Sequence, residues 1–166
     1  MQSKNTYLAT SPTEAKNFDT AELRNRFLIG TIFNPDHITA YYTTYDRYLV
    51  GGAQPISKPL ALEAIDELRA DYFLERRELG IINVGETGIV RVDGTAYTLE
   101  NQEALYVGRG AKDVVFENTS GSSPLFYYNL CMIFQSDLIF CLFFFFCYSF
   151  FFFFFLFFIV FFFYLL

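Results

Sequence analysis

The most constraining feature of this sequence is a predicted hairpin between residues 89 and 99. Two runs rich in β-branched residues flank an Asp-Gly dipeptide at positions 93 and 94. Asp-Gly tolerates the positive φ angles of a two-residue type I′ turn, whose twist matches that of the adjoining strands. The turn sets the register, so that Val92 pairs with Thr95 and Val90 with Tyr97. Because these four side chains share one face, we expect that face to be the core side.

Short predicted strands separated by turn residues surround this hairpin from residue 72 to residue 129. Their regular spacing is typical of an antiparallel β-barrel or sandwich. Before residue 72, the sequence predicts strands at 28–33 and 38–45, an edge strand or extended loop at 56–62, and a helical turn within 63–70. A glycine pair, Gly51-Gly52, indicates a bulge or a close approach of another backbone.

One short helix is predicted near the N-terminus, from residue 20 to about residue 27. Asp19 is its N-cap and Glu22 stands three positions on, which is a capping-box pattern. Leu23 and Phe27 share its apolar face at i, i+4 spacing. The chain is therefore predicted to be all-β apart from this helix.

The composition changes abruptly near residue 130. Seventeen of the 23 phenylalanines lie between Phe134 and Phe163, and no charged residue follows Asp137. We therefore predict three parts: a disordered lead at 1–17, a folded domain at 18–129 and an anomalous Phe-rich tail at 130–166.

Charge and metal-binding residues exclude several classes of function. The net charge of −6 argues against a nucleic-acid partner, which needs a basic surface. All three cysteines lie in the tail without Cys-x-x-Cys spacing, so neither a zinc site nor a disulfide framework is indicated. The first residues lack the apolar core of a secretory signal. The one histidine, His37, follows a predicted turn, and we expect it to be exposed and unligated.

Several blocks of the sequence match a known enzyme family. They include Phe18-Asp19-Thr20, Val50-Gly51-Gly52, the run from Tyr72 to Gly80, Ala104-Leu105-Tyr106-Val107-Gly108 and Phe126-Tyr127-Tyr128-Asn129. On these residues, the segment 17–129 resembles the amino-terminal half of 5-keto-4-deoxyuronate isomerase. That enzyme is also called 4-deoxy-L-threo-5-hexosulose-uronate ketol-isomerase.

The resemblance implies a fold and an activity. Family members are double cupins, with two jelly-roll barrels in one chain, and they assemble into cytoplasmic hexamers. They interconvert a 4-deoxy-5-keto-hexuronate, a sugar acid from pectin and related polyuronates, with a 2,5-diketo-3-deoxy acid. Zinc assists this aldose-ketose isomerisation and is held by three histidines and a glutamate. These ligands belong to the carboxy-terminal cupin, in a His-x-His-Glu-Arg-Arg motif followed by Glu and a later His.

This chain departs from the family at that motif. Aligning Glu75-Arg76-Arg77 with its Glu-Arg-Arg places Tyr72 and Leu74 where the two histidines stand. Leu cannot ligate zinc and Tyr is a poor ligand, so we expect no zinc in this chain and no activity from it alone.

The charged cluster Glu75, Arg76, Arg77 and Glu78 remains as a candidate site. An arginine pair can bind a uronate carboxylate through bidentate hydrogen bonds. The cluster is better explained as a charge-paired strand end or as a contact between subunits.

Three functional hypotheses follow. The chain is a ketol-isomerase by ancestry, with the activity in the intact family member; or it is a metal-free structural cupin for oligomer assembly. In the third, it is a membrane protein anchored through residues 138–166, an uncharged stretch longer than the ~20 apolar residues that span a bilayer.

The tail has a second interpretation, which we favour, as a translated intron or a gene-model artefact. Its residue types share thymine-rich codons, its Phe runs lack the Leu, Ala and Gly of membrane helices, and no basic cluster follows it. We expect a reverse-transcription read across the codon of Asn129 to lack the Phe run. A spliced message that encodes the run would contradict the artefact and restore the anchor.

Overall fold

The structure is a computed structural model that describes residues 2–45, 47–119, 121–131 and 140–142. In these ranges the helices are α1 Pro12–Ala15, α2 Thr20–Phe27 and a short 3-10 helix at Asp66–Leu68. The strands are β1 Gln2–Tyr7, β2 Ile38–Thr43, β3 Leu49–Ala53, β4 Leu60–Ala61, β5 Glu78–Asn83, β6 Gly88–Val92, β7 Thr95–Leu99, β8 Ala104–Val107, β9 Val114–Asn118, β10 Phe126–Cys131 and β11 Phe140–Leu142.

The strands form two sheets that enclose one core. The larger sheet has the order β1-β2-β3-β10-β5-β8-β11, and the smaller has the order β4-β9-β6-β7. Strand pairs are antiparallel except for β1 with β2. The smaller sheet and the β3-β10-β5-β8 part of the larger one have the strand order of a jelly roll. This topology confirms the predicted all-β, cupin-type fold, here as two hydrogen-bonded sheets.

The hairpin of β6 and β7 has the predicted register. Val92 pairs with Thr95 and Val90 with Tyr97. Asp93 and Gly94 have φ angles of 46° and 85°, as a type I′ turn requires. Val90 and Val92 are fully buried and Tyr97 packs against the core, which confirms the predicted core side, whereas Thr95 next to the turn is exposed.

Aromatic rings fill the space between the sheets. Phe116 of β9 lies 5.3 Å from Phe126 and 6.0 Å from Tyr128, both on β10, measured between ring centroids. Phe73, in the loop before β5, lies 6.3 Å from Tyr128 in an edge-to-face arrangement. All four rings are buried, so they join the two sheets through a continuous aromatic contact.

The predicted close approach at the glycine pair involves one of these rings. Gly51 lies directly opposite Tyr128 in the register of β3 with β10. A Cβ atom at Gly51 would overlap the end of the Tyr128 ring and the backbone carbonyl oxygen of Thr39. The Tyr128 hydroxyl donates a hydrogen bond of 2.8 Å to that same carbonyl. The missing side chain at Gly51 therefore makes room for a buried, hydrogen-bonded phenol.

The predicted strand at 28–33 is wrong. These residues form no strand, although they lie close to β2 and β3. The Thr39 hydroxyl donates to the carbonyl of Ile32, and the Tyr41 hydroxyl donates to the carbonyl of Thr31. Side-chain hydroxyls thus satisfy carbonyl groups that backbone N–H groups would satisfy in a β-sheet. The segment is therefore a hydrogen-bonded loop.

The N-terminal region also differs from the prediction. The sequence predicts a disordered lead at 1–17, but β1 pairs with β2 over residues 2–7 and α1 follows it. The predicted cap of α2 is confirmed, because the Asp19 carboxylate accepts the backbone N–H of Glu22 at 2.8 Å. Leu23 and Phe27 share a face but remain 40% and 49% exposed, so α2 contributes nothing to the core.

The predicted domain boundary at residue 129 falls within β10. Leu130 pairs with Leu79 and Leu49 and is fully buried, so the folded unit continues at least one residue further. In the tail, β11 pairs with β8. The remaining tail residues, 132–139 and 143–166, lie outside the described residues, and the anchor and artefact interpretations stay predictions.

We expect Gly51→Ala to lower the free energy of unfolding by about 1–3 kcal/mol, because the new methyl group overpacks the core against Tyr128 and Thr39. Gly30→Ala is the matched control, since no heavy atom lies within 4 Å of a Cβ built there. Urea unfolding of both variants measures the difference. Equal stability of the two variants would contradict this account of the glycine pair.

Candidate functional site

The charged cluster lies at the start of β5 and divides into an exposed half and a buried half. The Glu75 carboxylate accepts the backbone N–H of Asp71 at 2.8 Å and pairs with Arg76 at 3.4 Å. The Arg76 side chain is 69% exposed. In this half, the ion pair joins sequence neighbours at the surface, where such pairs contribute little stability.

The buried half is Arg77 and Glu78. Arg77 is 8% exposed and donates from Nη1 to the backbone carbonyl of Arg47 at 2.6 Å, which ties the start of β5 to the turn before β3. Arg47 has a φ angle of 52°, so the bond holds a left-handed residue in place. Glu78 is buried at the first position of β5. Because only Arg76 presents its guanidinium to solvent, the two arginines do not form a joint carboxylate-binding fork.

The residues at the positions where the resemblance implies zinc ligands do not fit zinc. Leu74 is fully buried in the core, and Tyr72 is half-buried in the same loop. His37 is exposed, and its Nδ1 lies 2.7 Å from the carbonyl oxygen of Pro35. Among the residues that the structure describes, no group of three His, Cys, Asp or Glu side chains is placed to hold a metal ion.

The aromatic contact described above lies in the interior of this jelly roll, between the two sheets. Burial raises the pKa of the Tyr128 phenol far above its ordinary value, so this hydroxyl stays protonated and serves as a donor. Sequence reasoning did not single out these rings as the contents of the barrel. The sequence does contain the signal for this burial, which is the alternation of Phe126 and Tyr128 with outward-facing residues along β10.

A shallow cleft of about 690 Å³ lies at the opposite end of β5. Two of its polar side chains are engaged within the protein: the Glu86 carboxylate accepts the Ser123 N–H at 2.7 Å, and the Asn101 side chain donates to the carbonyl of Gly85 at 2.8 Å.

Beneath the cleft, Asn83 is a residue that sequence reasoning missed. Its side chain is fully buried and donates to the carbonyls of Glu86 at 2.7 Å and Leu99 at 2.9 Å. Its Oδ1 accepts the N–H groups of Gly85 at 3.1 Å and Leu125 at 3.4 Å. These bonds satisfy a buried amide and join the ends of three strands, which is a structural role.

The fold and these residues together define a cupin-type domain whose described side chains form no metal centre. Among the curated proteins, this chain is similar to the 4-deoxy-L-threo-5-hexosulose-uronate ketol-isomerases. It is 58% identical over 120 residues to the one from Formosa agariphila, covering 72% of this chain and 43% of that protein. It is 49% identical over 120 residues to the one from Halalkalibacterium halodurans, covering 72% of this chain and 44% of that protein.

These relatives confirm the resemblance: the matched part of the chain is homologous to the uronate ketol-isomerases. The chain spans less than half the length of the curated relatives that it matches. No family model matches the chain.

Solved structures similar to this one include cupins. A cupin domain from Schizosaccharomyces pombe matches with a TM-score of 0.44 and 11% identity, covering 58% of this chain and 60% of that one. A cupin protein from Bacteroides fragilis matches with a TM-score of 0.41 and 12% identity, covering 55% and 70%. Across the described residues, no helix has both the length and the apolar character needed to cross a bilayer.

We expect Arg77→Met to lower the free energy of unfolding by about 1.5–3 kcal/mol, because a buried charged donor to the Arg47 carbonyl is lost. Arg76→Met is the matched control, and its effect should stay within about 0.5 kcal/mol because that side chain is exposed. Urea unfolding compares the two. A larger loss in Arg76→Met would show that the exposed half carries the structural role.

Proposed function

We propose that this chain is the metal-free cupin of a ketol-isomerase that acts on 4-deoxy-L-threo-5-hexosulose-uronate. The substrate is a small sugar acid from the breakdown of pectin and related polyuronates, and the enzyme works in the cytoplasm. The observation that carries the proposal is the 58% identity over 120 residues to a protein of that name.

The chemical requirements of the isomerisation support an active site in the part of the enzyme outside this cupin. Moving a hydrogen between C1 and C2 needs a base near the carbon and an electrophile at the carbonyl oxygen. In the family, zinc on three histidines and a glutamate supplies the electrophile. Tyr72 and Leu74 cannot replace imidazoles, and the aromatic rings occupy the interior, so this polypeptide is inactive by itself.

The role left to this cupin is structural. Its packed apolar interior supports the proposal that it stabilises the catalytic cupin and contributes surface to a homo-oligomer, a hexamer by family resemblance. The cluster of Glu75, Arg76, Arg77 and Glu78 fits this role. Arg77 and Glu78 are buried, and Arg77 holds the turn before β3 through its hydrogen bond to Arg47. The exposure of Arg76 still supports a contact of that one side chain with substrate or with a neighbouring subunit.

A chimaera tests the proposal. We expect the Formosa agariphila isomerase to keep its zinc content and its turnover when its matched segment is replaced by that of this chain. A version with the segment deleted is the control and should lose activity or fail to fold. The 166-residue chain, free of any longer relative, should show neither stoichiometric zinc nor turnover.

Two outcomes would contradict the proposal. Turnover of the sugar acid by this polypeptide alone would mean that it contains a catalytic site. A folded, zinc-loaded chimaera without activity would mean that this cupin does not belong with that catalytic partner.

A further inference from the structure

A second cleft, of about 450 Å³, lies between β1 and α2, at one edge of the larger sheet. It is lined by Asn5, Thr6, Tyr7 and Leu8 on the side of β1, and by Asn25 and Arg26 on the side of α2. Its volume falls within the range of small-molecule sites. All of the lining side chains except Leu8 can form hydrogen bonds, so the cleft is suited to a ligand with several polar groups.

The two walls of this cleft are joined by contacts of Tyr7. Its hydroxyl donates a hydrogen bond of 3.0 Å to the backbone carbonyl of Leu28, the residue at which α2 ends. Its ring lies 6.0 Å from that of Tyr41 on β2, measured between centroids. Because β1 and α2 are already connected, a ligand in the cleft does not have to order them when it binds.

Arg26 supplies the positive charge of the cleft. Its guanidinium lies over the Phe18 ring, 5.8 Å from the centroid, and this contact leaves its N–H donors available. Within the described ranges, Arg26 forms no ion pair. The carboxylate of Glu14 is engaged instead by Ser11, whose backbone N–H and hydroxyl each donate to it at 2.9 Å. These bonds lower the pKa of Glu14, and the charge of Arg26 lowers it further.

Two side-chain amides line the cleft together with this guanidinium. Asn5 and Asn25 are exposed, and neither amide has a hydrogen-bond partner among the residues that the structure describes. Each amide offers a carbonyl acceptor and two N–H donors, which matches hydroxyl groups that both donate and accept. The cleft therefore combines one guanidinium that can bind a carboxylate with two amides that can bind hydroxyls.

We propose that this cleft binds a small polyhydroxylated carboxylic acid of the hexuronate type, with its carboxylate on Arg26 and its hydroxyls on Asn5 and Asn25. One guanidinium is sufficient for one carboxylate. A long polyanion or a nucleotide carries several negative charges and is disfavoured by the net charge of −6. The cleft lies outside the core and shares no residue with the charged cluster at the start of β5.

A titration with D-galacturonate, followed by NMR on the purified 166-residue chain, tests this site. We expect saturable shifts of the amide signals of β1 and α2, with a dissociation constant on the order of 1 mM for so small a ligand. D-Galactose lacks the carboxylate and inorganic phosphate lacks the sugar ring with its hydroxyls. Each should bind at least about tenfold more weakly than galacturonate.

Substitutions in α2 isolate the contribution of the guanidinium. Arg26→Gln removes the charge from the cleft and should weaken galacturonate binding at least about tenfold. Arg24→Gln is the matched control, because Arg24 lies in the same last turn, is exposed and does not line the cleft. Its removal should change the dissociation constant by less than about twofold, since solvent screens a charge outside the site. Asn25→Asp places a negative charge in the cleft and should abolish binding.

A titration without saturable shifts in β1 and α2 would overturn the proposal. So would binding that is unchanged in Arg26→Gln, or an equal loss in Arg26→Gln and Arg24→Gln, which would indicate general attraction to a basic helix. Galactose or phosphate binding as tightly as galacturonate would contradict the ligand class. Because these measurements need neither turnover nor zinc, their failure is distinguishable from failure of the isomerase proposal.

Discussion

The contact between Tyr128, Gly51 and Thr39 is the constraint on which the rest of this structure depends. The phenol lies between the sheets because Gly51 has no side chain, and its hydroxyl satisfies the carbonyl of Thr39. A buried hydroxyl without such a partner would cost free energy, so the ring position and the glycine require each other. From Tyr128 the aromatic contact continues to Phe116 and on to Phe126, and this fixes the distance between the two layers.

The interior of this jelly roll is packed with apolar side chains. In a cupin that binds a metal, the inner face carries imidazole and carboxylate ligands around an accessible space. Here the inner face carries apolar side chains, whereas near the start of β5 Arg77 donates to a backbone carbonyl and Arg76 is exposed to solvent. This packing supports the proposal that the domain supplies stability and surface to an enzyme of which it matches less than half the length.

Local sequence signals predicted the parts of this fold that depend on local chemistry. The Asp-Gly turn sets the register of β6 with β7, and Asp19 caps α2, because each uses its own backbone neighbours. The segment 28–33 was misread because its carbonyls bond to the hydroxyls of Thr39 and Tyr41, which sequence spacing does not reveal. The sequence predicted that Arg76 and Arg77 belong to one charged cluster. For the same reason, it did not predict which of the two side chains is buried.

The place of β10 in the larger sheet has a consequence for synthesis on the ribosome. Phe126–Cys131 comes late in the described chain, yet it lies between β3 and β5 and bonds to both. Until these residues leave the exit tunnel, both neighbours have an unpaired edge and the aromatic core lacks two of its rings. Such long-range pairing folds slowly and exposes apolar surface in the meantime. The core of this domain therefore cannot be completed until β10 has been synthesised.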